Sequence, residues 1–245
     1  MKYMKIKIFV RHCKFSSNSA HKNNRPHYFT RKGCFNNLLN TIDKDCEVTV
    51  SFDGNLSESD HFLNKDVYKG RFNLFQKKGG NDGNSFLNMI EYVSTLQFDD
   101  NDIIYFLEDD YFHNIGWTNI MREGFESVAV DYITLYDHND KYWYPMYEQL
   151  MSKVICTKNI HWKSIPNTTN TYACLAKTFK RDYHIHKMYC DLTKGYTRDF
   201  DKFMHLTNEG KTLINPLPGY STHCEMEYMS PVVDWETAFN KTCKL

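Results

Sequence analysis

The 245-residue chain has no net charge, because thirty Lys and Arg residues balance thirty Asp and Glu. No global basic field points to nucleic acid, and no acidic tail marks a disordered solubiliser. No run reaches the roughly 18 apolar residues needed to span a bilayer. The start, Met1-Lys2-Tyr3-Met4-Lys5-Ile6-Lys7, alternates charged and apolar residues and has no continuous apolar core of the kind found in a signal peptide. The expectation is a soluble, cytoplasmic protein with no nucleic-acid partner and no transmembrane segment. The eight cysteines form no Cys-x-x-Cys pair and no zinc-finger spacing, so they read as mostly buried thiols in a reducing compartment. Without a secretory signal, the glycosylation-type triplets at Asn55, Asn167 and Asn240 read as chance matches in an Asn-rich chain. Also missing are a P-loop, a dinucleotide fingerprint, a nucleophile elbow, an internal repeat and a low-complexity tract.

The chain is organised around Ile103–His113. Five apolar residues, Ile103 to Leu107, meet three successive carboxylates, Glu108, Asp109 and Asp110. Such a run reads as a strand buried on both faces of an α/β sheet. In open α/β sheets, ligands bind beyond the carboxyl ends of the strands, which is where these acids fall. Three adjacent carboxylates repel one another unless something positive sits among them. They therefore point to a divalent cation held by oxygen ligands, with a solvated charged turn as the plain alternative.

Before this stretch, Lys5–Val10 reads as a strand ending at Arg11-His12, and the polar stretch Cys13–Arg31 reads as a long loop. Thr30 is placed to cap a helix carrying Cys34, Leu38, Leu39 and Ile42. Glu47–Phe52 is a second strand closed by the turn Asp53-Gly54-Asn55. This β-α-β order argues for a parallel sheet. Phe72–Gln76 gives a short third strand. The glycines of Gly79-Gly80-Asn81-Asp82-Gly83-Asn84 then open onto a helix bearing Phe86, Met89, Ile90, Val93 and Leu96, so backbone N–H groups and a helix N-terminus can face a phosphate or sugar. After the acidic strand come a helix over Trp117–Phe125 and a strand over Asp131–Tyr136. Beyond Tyr142 the alternation breaks down: Lys153–Ile165 and Thr171–Ala176 suggest antiparallel strands, and Asp199–Leu206 a helix. His184 and His186 share a face if Tyr183–His186 is a strand, but no further ligand pattern accompanies them.

Four features, in order, resemble the GT-A glycosyltransferases, especially the inverting family 2. They are Ser51-Phe52-Asp53-Gly54-Asn55; Gly79–Asn84; Glu108-Asp109-Asp110, in the form of an Asp-x-Asp motif with Glu first; and Thr197-Arg198-Asp199-Phe200-Asp201 followed by Pro216–His223. The resemblance runs from about Lys5 to Glu225. Two features depart from the family: Arg198 stands where Glu is usual, and the Cys13–Arg31 loop is longer than a typical first connection. The resemblance implies a single GT-A-type α/β domain over residues 1–245, with a mixed, mostly parallel central sheet flanked by helices. Residues 1–140 would be the nucleotide-sugar-binding half, and residues 141–245 the acceptor-binding half with its antiparallel portion.

The implied activity is transfer of a sugar from a nucleotide-diphosphate donor, UDP by family habit, to a hydroxyl acceptor such as a glycan, by inverting single displacement. The cofactor would be manganese or magnesium, offsetting the charge of the departing diphosphate. On the resemblance, Asp53, Gly80 and Asp82 face the nucleotide, Glu108 holds its ribose or a metal-bound water, Asp110 and His223 hold the metal, and Asp109 faces away. Asp199 is the first choice of general base; the plain alternative is that Thr197 and Asp199 serve as a helix cap and a first-turn partner of the helix dipole. Asp137, His138, Trp143 and Asp201 fall on the acceptor side, where aromatic rings can stack on a sugar. Two rival readings are a sugar nucleotidyltransferase, whose Gly-rich first loop is missing here, and a non-catalytic glycan- or nucleotide-binding module.

Overall fold

The computed structural model describes residues 4–13 and 24–244. In chain order its elements are β1 (Ile6–Cys13), α1 (Arg31–Thr41), β2 (Glu47–Asp53), β3 (Asn73–Gln76), α2 (Asp82–Thr95), β4 (Ile103–Glu108), β5 (Tyr111–His113), α3 (Trp117–Ser127), β6 (Tyr132–Ile133), α4 (Asp140–Trp143), β7 (Val154–Cys156), β8 (His161–Ser164), β9 (Tyr172–Leu175), α5 (Ala176–Met188), β10 (Cys190–Asp191), β11 (Tyr196–Thr197), α6 (Asp199–Asn208), β12 (Leu213–Leu217), β13 (Ser221–His223) and α7 (Trp235–Thr242). The architecture is α/β, with a mixed, mostly parallel sheet flanked by helices, as the resemblance implied. Most of the long loop expected over Cys13–Arg31 lies outside the described residues. No described helix is long and apolar enough to cross a membrane.

The chain forms two compact units, each built from three separate stretches. The first comprises Met1–Ser17, Lys44–Glu108 and Asn167–Lys211; the second comprises Asn18–Asp43, Asp109–Pro166 and Thr212–Leu245.

In the first unit the strand order is β3-β2-β1-β4-β9, with β1 to β4 mutually parallel and β9 antiparallel to β4. Ile6, Ile8, Val50, Ile103, Tyr105 and Phe106 are buried, which is why β4 reads as an unbroken apolar run rather than an alternating one. α2 begins at its cap Asn81, whose side chain accepts from Asn84 N, and it buries Phe86, Met89, Ile90 and Val93 at the predicted helical spacing. Tyr183–His186, whose two histidines would share a face on a strand, lies inside α5. Residues two apart on a helix point to different faces: His184 is exposed, whereas His186 is buried and its Nδ1 is 3.0 Å from the Tyr172 hydroxyl. The two histidines form no common site.

In the second unit β12 pairs parallel with β6 and antiparallel with β8, which pairs antiparallel with β7. β5 and β13 form a separate antiparallel ribbon. The hairpin of β7 and β8 realises the antiparallel reading of Lys153–Ile165. The strand expected over Asp131–Tyr136 shortens to Tyr132–Ile133. α1 starts as predicted, with Thr30 Oγ1 accepting from Gly33 N at 2.8 Å. Its Cys34 packs with Phe112, Cys224, Trp235 and Phe239 in a buried cluster. All eight cysteines are free thiols, and four of them are buried.

Candidate functional site

In the first unit the carboxyl ends of the parallel strands carry the charged groups. β1 lies between β2 and β4, and β2 and β3 continue on one side only, so the strand order reverses between β1 and β4. Such a reversal is where open α/β sheets bind ligands. Arg11 and Glu108 are register partners across this boundary, and Arg11 Nη2 donates to Glu108 Oε1 at 2.6 Å. Arg11 Nη1 also donates to the Asp82 carboxylate and, at 3.0 Å, to the Asp82 carbonyl. Asp82 opens α2, and its other carboxylate oxygen accepts from both the backbone N and the hydroxyl of Thr197 at 2.9 Å. Burial pushes the Asp82 pKa up, but the Arg11 charge and these donors outweigh it and hold the carboxyl below its ordinary value. Asp82 and Glu108, both expected near a nucleotide, are joined by Arg11, to which the sequence reading assigns no role.

Asp53 closes β2 as expected, and its carboxylate is spent within the protein. Asp53 Oδ1 accepts from Gly79 N at 2.8 Å, and both oxygens accept from Gly80 N at 3.0 and 3.1 Å. The Gly80 N–H therefore points at Asp53, and the pair orders the glycine-rich loop at the start of α2. Gly80 has φ +78, and a Cβ on Gly79 would lie 2.7 Å from Ser85 N, so both glycines are required by the backbone path.

Beside this cluster, Thr197 Oγ1 also accepts from Asn170 Nδ2, and Asn170 Oδ1 accepts from Lys202 Nζ at 2.7 Å. Lys202 is buried among Phe86, Tyr172 and Phe203, with its ammonium 4.6–5.0 Å from their ring centroids. Burial pulls its pKa down to about 8, although Asp199 pulls it back up. For Asp199 the signs reverse: burial raises its pKa, and the Lys202 charge opposes the rise. Asp199 is not the helix cap. That position belongs to Arg198, which makes no side-chain capping bond, and Asp199 Oδ1 accepts from the neighbouring Phe200 N at 2.9 Å. Asp201 is exposed and pairs with Arg198 at 3.7 Å.

In the second unit Asp110 and His223, predicted as a pair, do meet. The β5–β13 ribbon aligns His223 with Tyr111, and Cys224 N donates to the Asp110 carbonyl at 2.9 Å. His223 Nε2 lies 3.0 Å from Asp110 Oδ2, its Nδ1 lies 3.5 Å from Glu225 Oε2, and its ring stacks on Tyr111. No local pattern marks the third member: Arg25 Nη2 donates to the same Asp110 oxygen at 2.8 Å, and Arg25 Nη1 donates to the Cys224 carbonyl at 2.8 Å. Burial opposes ionisation of Asp110, yet the imidazole and guanidinium outweigh it and hold the carboxyl well below the usual range.

A manganese or magnesium ion needs about six ligands, chiefly oxygens. Among the described residues no group of three or more His, Cys, Asp or Glu side chains is arranged to hold a metal. The Asp110 oxygen turned towards His223 Nε2 already carries a guanidinium. This arrangement does not fit such an ion.

The acceptor-side residues divide. Asp137 is buried, with Oδ1 accepting from Lys163 Nζ at 2.9 Å and Asn215 Nδ2 at 3.1 Å, and Oδ2 accepting from the Tyr142 hydroxyl at 2.7 Å. His138 is buried 3.9 Å from the Tyr136 ring centroid, and burial holds its pKa well below the ordinary value. Both belong to the interior of the second unit. Trp143, at the end of α4, is half exposed, as are its neighbours Tyr142 and Tyr144, so the indole has a face open to a ligand.

No protein-family model matches the chain, and no curated protein matches it in sequence. Among solved structures, the chain is similar to residues 1–349 of S. aureus TarS, with 11% identity over 86% of this chain and 58% of that one, at a TM-score of 0.49. It is also similar to the galactosyltransferase LgtC, in complex with donor and acceptor sugar analogues, with 8% identity over 85% and 72% of the two chains, at a TM-score of 0.48. A third similar structure is CMP:2-keto-3-deoxy-manno-octonic acid synthetase with CTP, with 11% identity over 88% and 92%, at a TM-score of 0.48. The chain thus spans under two thirds of the TarS fragment. The likeness is one of chain path, and no residue's role follows from it.

Proposed function

We propose that this protein is a glycosyltransferase that takes a nucleotide-diphosphate sugar, with UDP as the nucleotide, and transfers the sugar to a hydroxyl group of a glycan. The observation that carries this reading is the Arg11–Glu108 pair at the carboxyl ends of β1 and β4, where the strand order reverses and α2 begins. A guanidinium tied to two carboxylates there is a rigid, planar donor set, and guanidinium groups suit phosphate and carboxylate oxygens alike. Asp53 supports the reading indirectly, by holding the Gly79-Gly80 loop that leads into α2.

The reaction is a single displacement with inversion. The bond between the anomeric carbon and the diphosphate oxygen breaks, and its electron pair leaves with the nucleoside diphosphate. The acceptor oxygen forms the new bond to carbon, and its proton passes to Asp199. A raised pKa makes Asp199 a stronger base than an ordinary aspartate.

The test is a panel of nucleotide sugars, with and without manganese, scored for release of free nucleoside diphosphate by the wild type and by Asp199→Asn. Release from one donor, with inverted anomeric configuration and loss of turnover in the variant, supports the proposal. Binding of a nucleotide without turnover, unchanged in Asp199→Asn, would make the protein a binding module. Release of pyrophosphate from a nucleoside triphosphate in the presence of a free sugar would make it a nucleotidyltransferase.

A further inference from the structure

The first unit buries a cation to which the displacement itself gives no part. Lys202 lies on α6 with 1% of its surface exposed. Its ammonium is 4.9, 4.6 and 5.0 Å from the ring centroids of Phe86, Tyr172 and Phe203. Aromatic faces at such distances attract a cation, so the enclosure works against the neutral form that burial alone would favour. The hydrogen bonds are directional. Thr197 Oγ1 donates its proton to Asp82 Oδ2 at 2.9 Å, so towards Asn170 it can only accept, and Asn170 Nδ2 is the donor. That turns Asn170 Oδ1, an acceptor, onto Lys202 Nζ at 2.7 Å. A chain that begins at a carboxylate thus ends by presenting an oxygen to the ammonium.

Asp199 stands three residues before Lys202 on the same helix, a spacing at which side chains share a face. Other charged and titratable groups reach the pair from neighbouring elements. Towards Lys202 these are Cys190 of β10, Glu108 of β4, Arg11 of β1 and His186 of α5; towards Asp199 it is Asp82 of α2. Glu108 and Asp82 are both tied to Arg11, so their charges are already matched. Burial pushes the Cys190 thiol up to about 11 and holds the His186 imidazole well below its ordinary value, which leaves both neutral at pH 7. Of these groups, one carboxylate and one ammonium, on the same face of α6, remain to answer each other.

We propose that Lys202 is a positioning residue for the reaction: its fixed positive charge keeps Asp199 ionised, so that the carboxylate can accept the proton of the attacking hydroxyl. This rests on the glycosyltransferase reading, with Asp199 as the base. A buried carboxylate near the like charge of Asp82 would otherwise retain its own proton to higher pH, and a protonated acid takes no proton from an acceptor. Lys202, enclosed by rings, touches no substrate and acts through Asp199. Because the ammonium is buried, dissolved salt screens it little.

The test uses the full chain carrying carbon-13 at its aspartate carboxyl carbons, the Asp199 signal being the one that disappears in Asp199→Asn. Its titration is followed by NMR in the wild type, Lys202→Met and Lys202→Arg, with folding checked by circular dichroism. The Asp199 midpoint is expected to move to higher pH in Lys202→Met and to return towards the wild-type value in Lys202→Arg. In turnover, the kcat of Lys202→Met should fall about tenfold at pH 6 and recover as pH rises, with the donor KM unchanged. A loss of kcat that is uniform across pH would mark Lys202 as merely structural and overturns the inference. In the wild type alone, the Asp199 signal should show a second step near pH 8, where Lys202 loses its proton. That step decides the matter if Lys202→Met does not fold, and its absence overturns the inference. An Asp199 midpoint unchanged in a folded Lys202→Met also overturns it and leaves the glycosyltransferase reading standing. A shifted midpoint in a protein that turns over no nucleotide sugar upholds the ion pair but overturns the glycosyltransferase reading, and with it the role of Lys202 towards an acceptor.

Discussion

Arg11 Nη2 lies 2.6 Å from Glu108 Oε1, joining residues 97 positions apart in the chain across the boundary of two parallel strands. The same guanidinium holds Asp82 at the start of α2, so one side chain fixes the ends of three elements of the first unit.

Replacing Arg11 with Met leaves two partly buried carboxylates without their common cation. A loss of about 3 kcal/mol of stability is expected from breaking a buried ion pair at one partner, read as a lower midpoint in urea unfolding. Arg11→Lys should recover only part of it, since one ammonium lacks the planar fork that reaches both acids. A lysine variant as stable as the wild type would show that charge alone matters there.

The two adjacent glycines should respond differently to alanine. A Cβ on Gly79 would lie 2.7 Å from Ser85 N and 2.9 Å from Ser85 Cα, whereas a Cβ on Gly80 meets nothing within 4 Å but must adopt φ +78. Gly80→Ala should cost about 1–2 kcal/mol from left-handed strain. Gly79→Ala should cost more, because backbone has to move and the Asp53 bonds go with it. Thermal unfolding of the two variants side by side checks the order.

Three of the buried histidines give the protein an acid limit. Burial lowers the pKa of His113 to about 3 and those of His138 and His186 well below the ordinary 6.5. The folded state therefore keeps them neutral while the unfolded chain takes up protons below pH 6.5. Their stabilisation is complete above that pH and declines as pH falls. His113 should withdraw about 2 kcal/mol between pH 6.5 and pH 5, at roughly 1.4 kcal/mol per unit, and His138 and His186 act in the same direction. Urea midpoints at pH 7 and pH 5 read the decline, and His113→Gln should make it shallower. A parallel decline in that variant would argue against His113 as a contributor.

Lys202 acts in the alkaline range. Its folded-state pKa of about 8 lies below the ordinary 10.5, so the unfolded chain binds the extra proton and stability rises with pH from about 8 upwards. Lys141, also near 8 through burial, adds in the same direction. Between pH 7.5 and pH 9.5 the urea midpoint of the wild type should climb, and that of Lys202→Met should climb less. Equal slopes would mean that Lys202 keeps its proton through contacts other than Asn170.

Where local pattern decided the structure, the sequence was readable. The apolar run of β4, the Thr30 cap of α1 and the 3.6-residue spacing of α2 each appear at or within a few residues of the expected place. Asp110 and His223, 113 positions apart, also meet as expected. What stayed hidden are the partners supplied from elsewhere in the chain. Nothing local says that Arg11, Arg25 and Arg31 each answer one acid of the triplet, because ion pairing depends on register and loop path rather than on spacing. α5 was missed for a related reason: its sequence, AKTFKRDYHIHKM, is mostly polar and aromatic, and its buried positions are set by packing against the sheet of the first unit. Asp137 and His138 looked available because they follow a strand, yet Lys163, Asn215, Tyr142 and Tyr136 enclose them.

In the second unit β12 sits between β6 and β8, which do not pair with each other. Residues 132–133 and 161–164 are thus made some fifty to eighty positions before the strand that joins them, Leu213–Leu217. During synthesis this sheet has no complete centre until Leu217 has been made, and closing it is a long-range event of the kind that slows folding. Until then β6 and the β7–β8 hairpin present unpaired edges, so the newly made chain, more than the finished protein, is the form exposed to edge-to-edge aggregation.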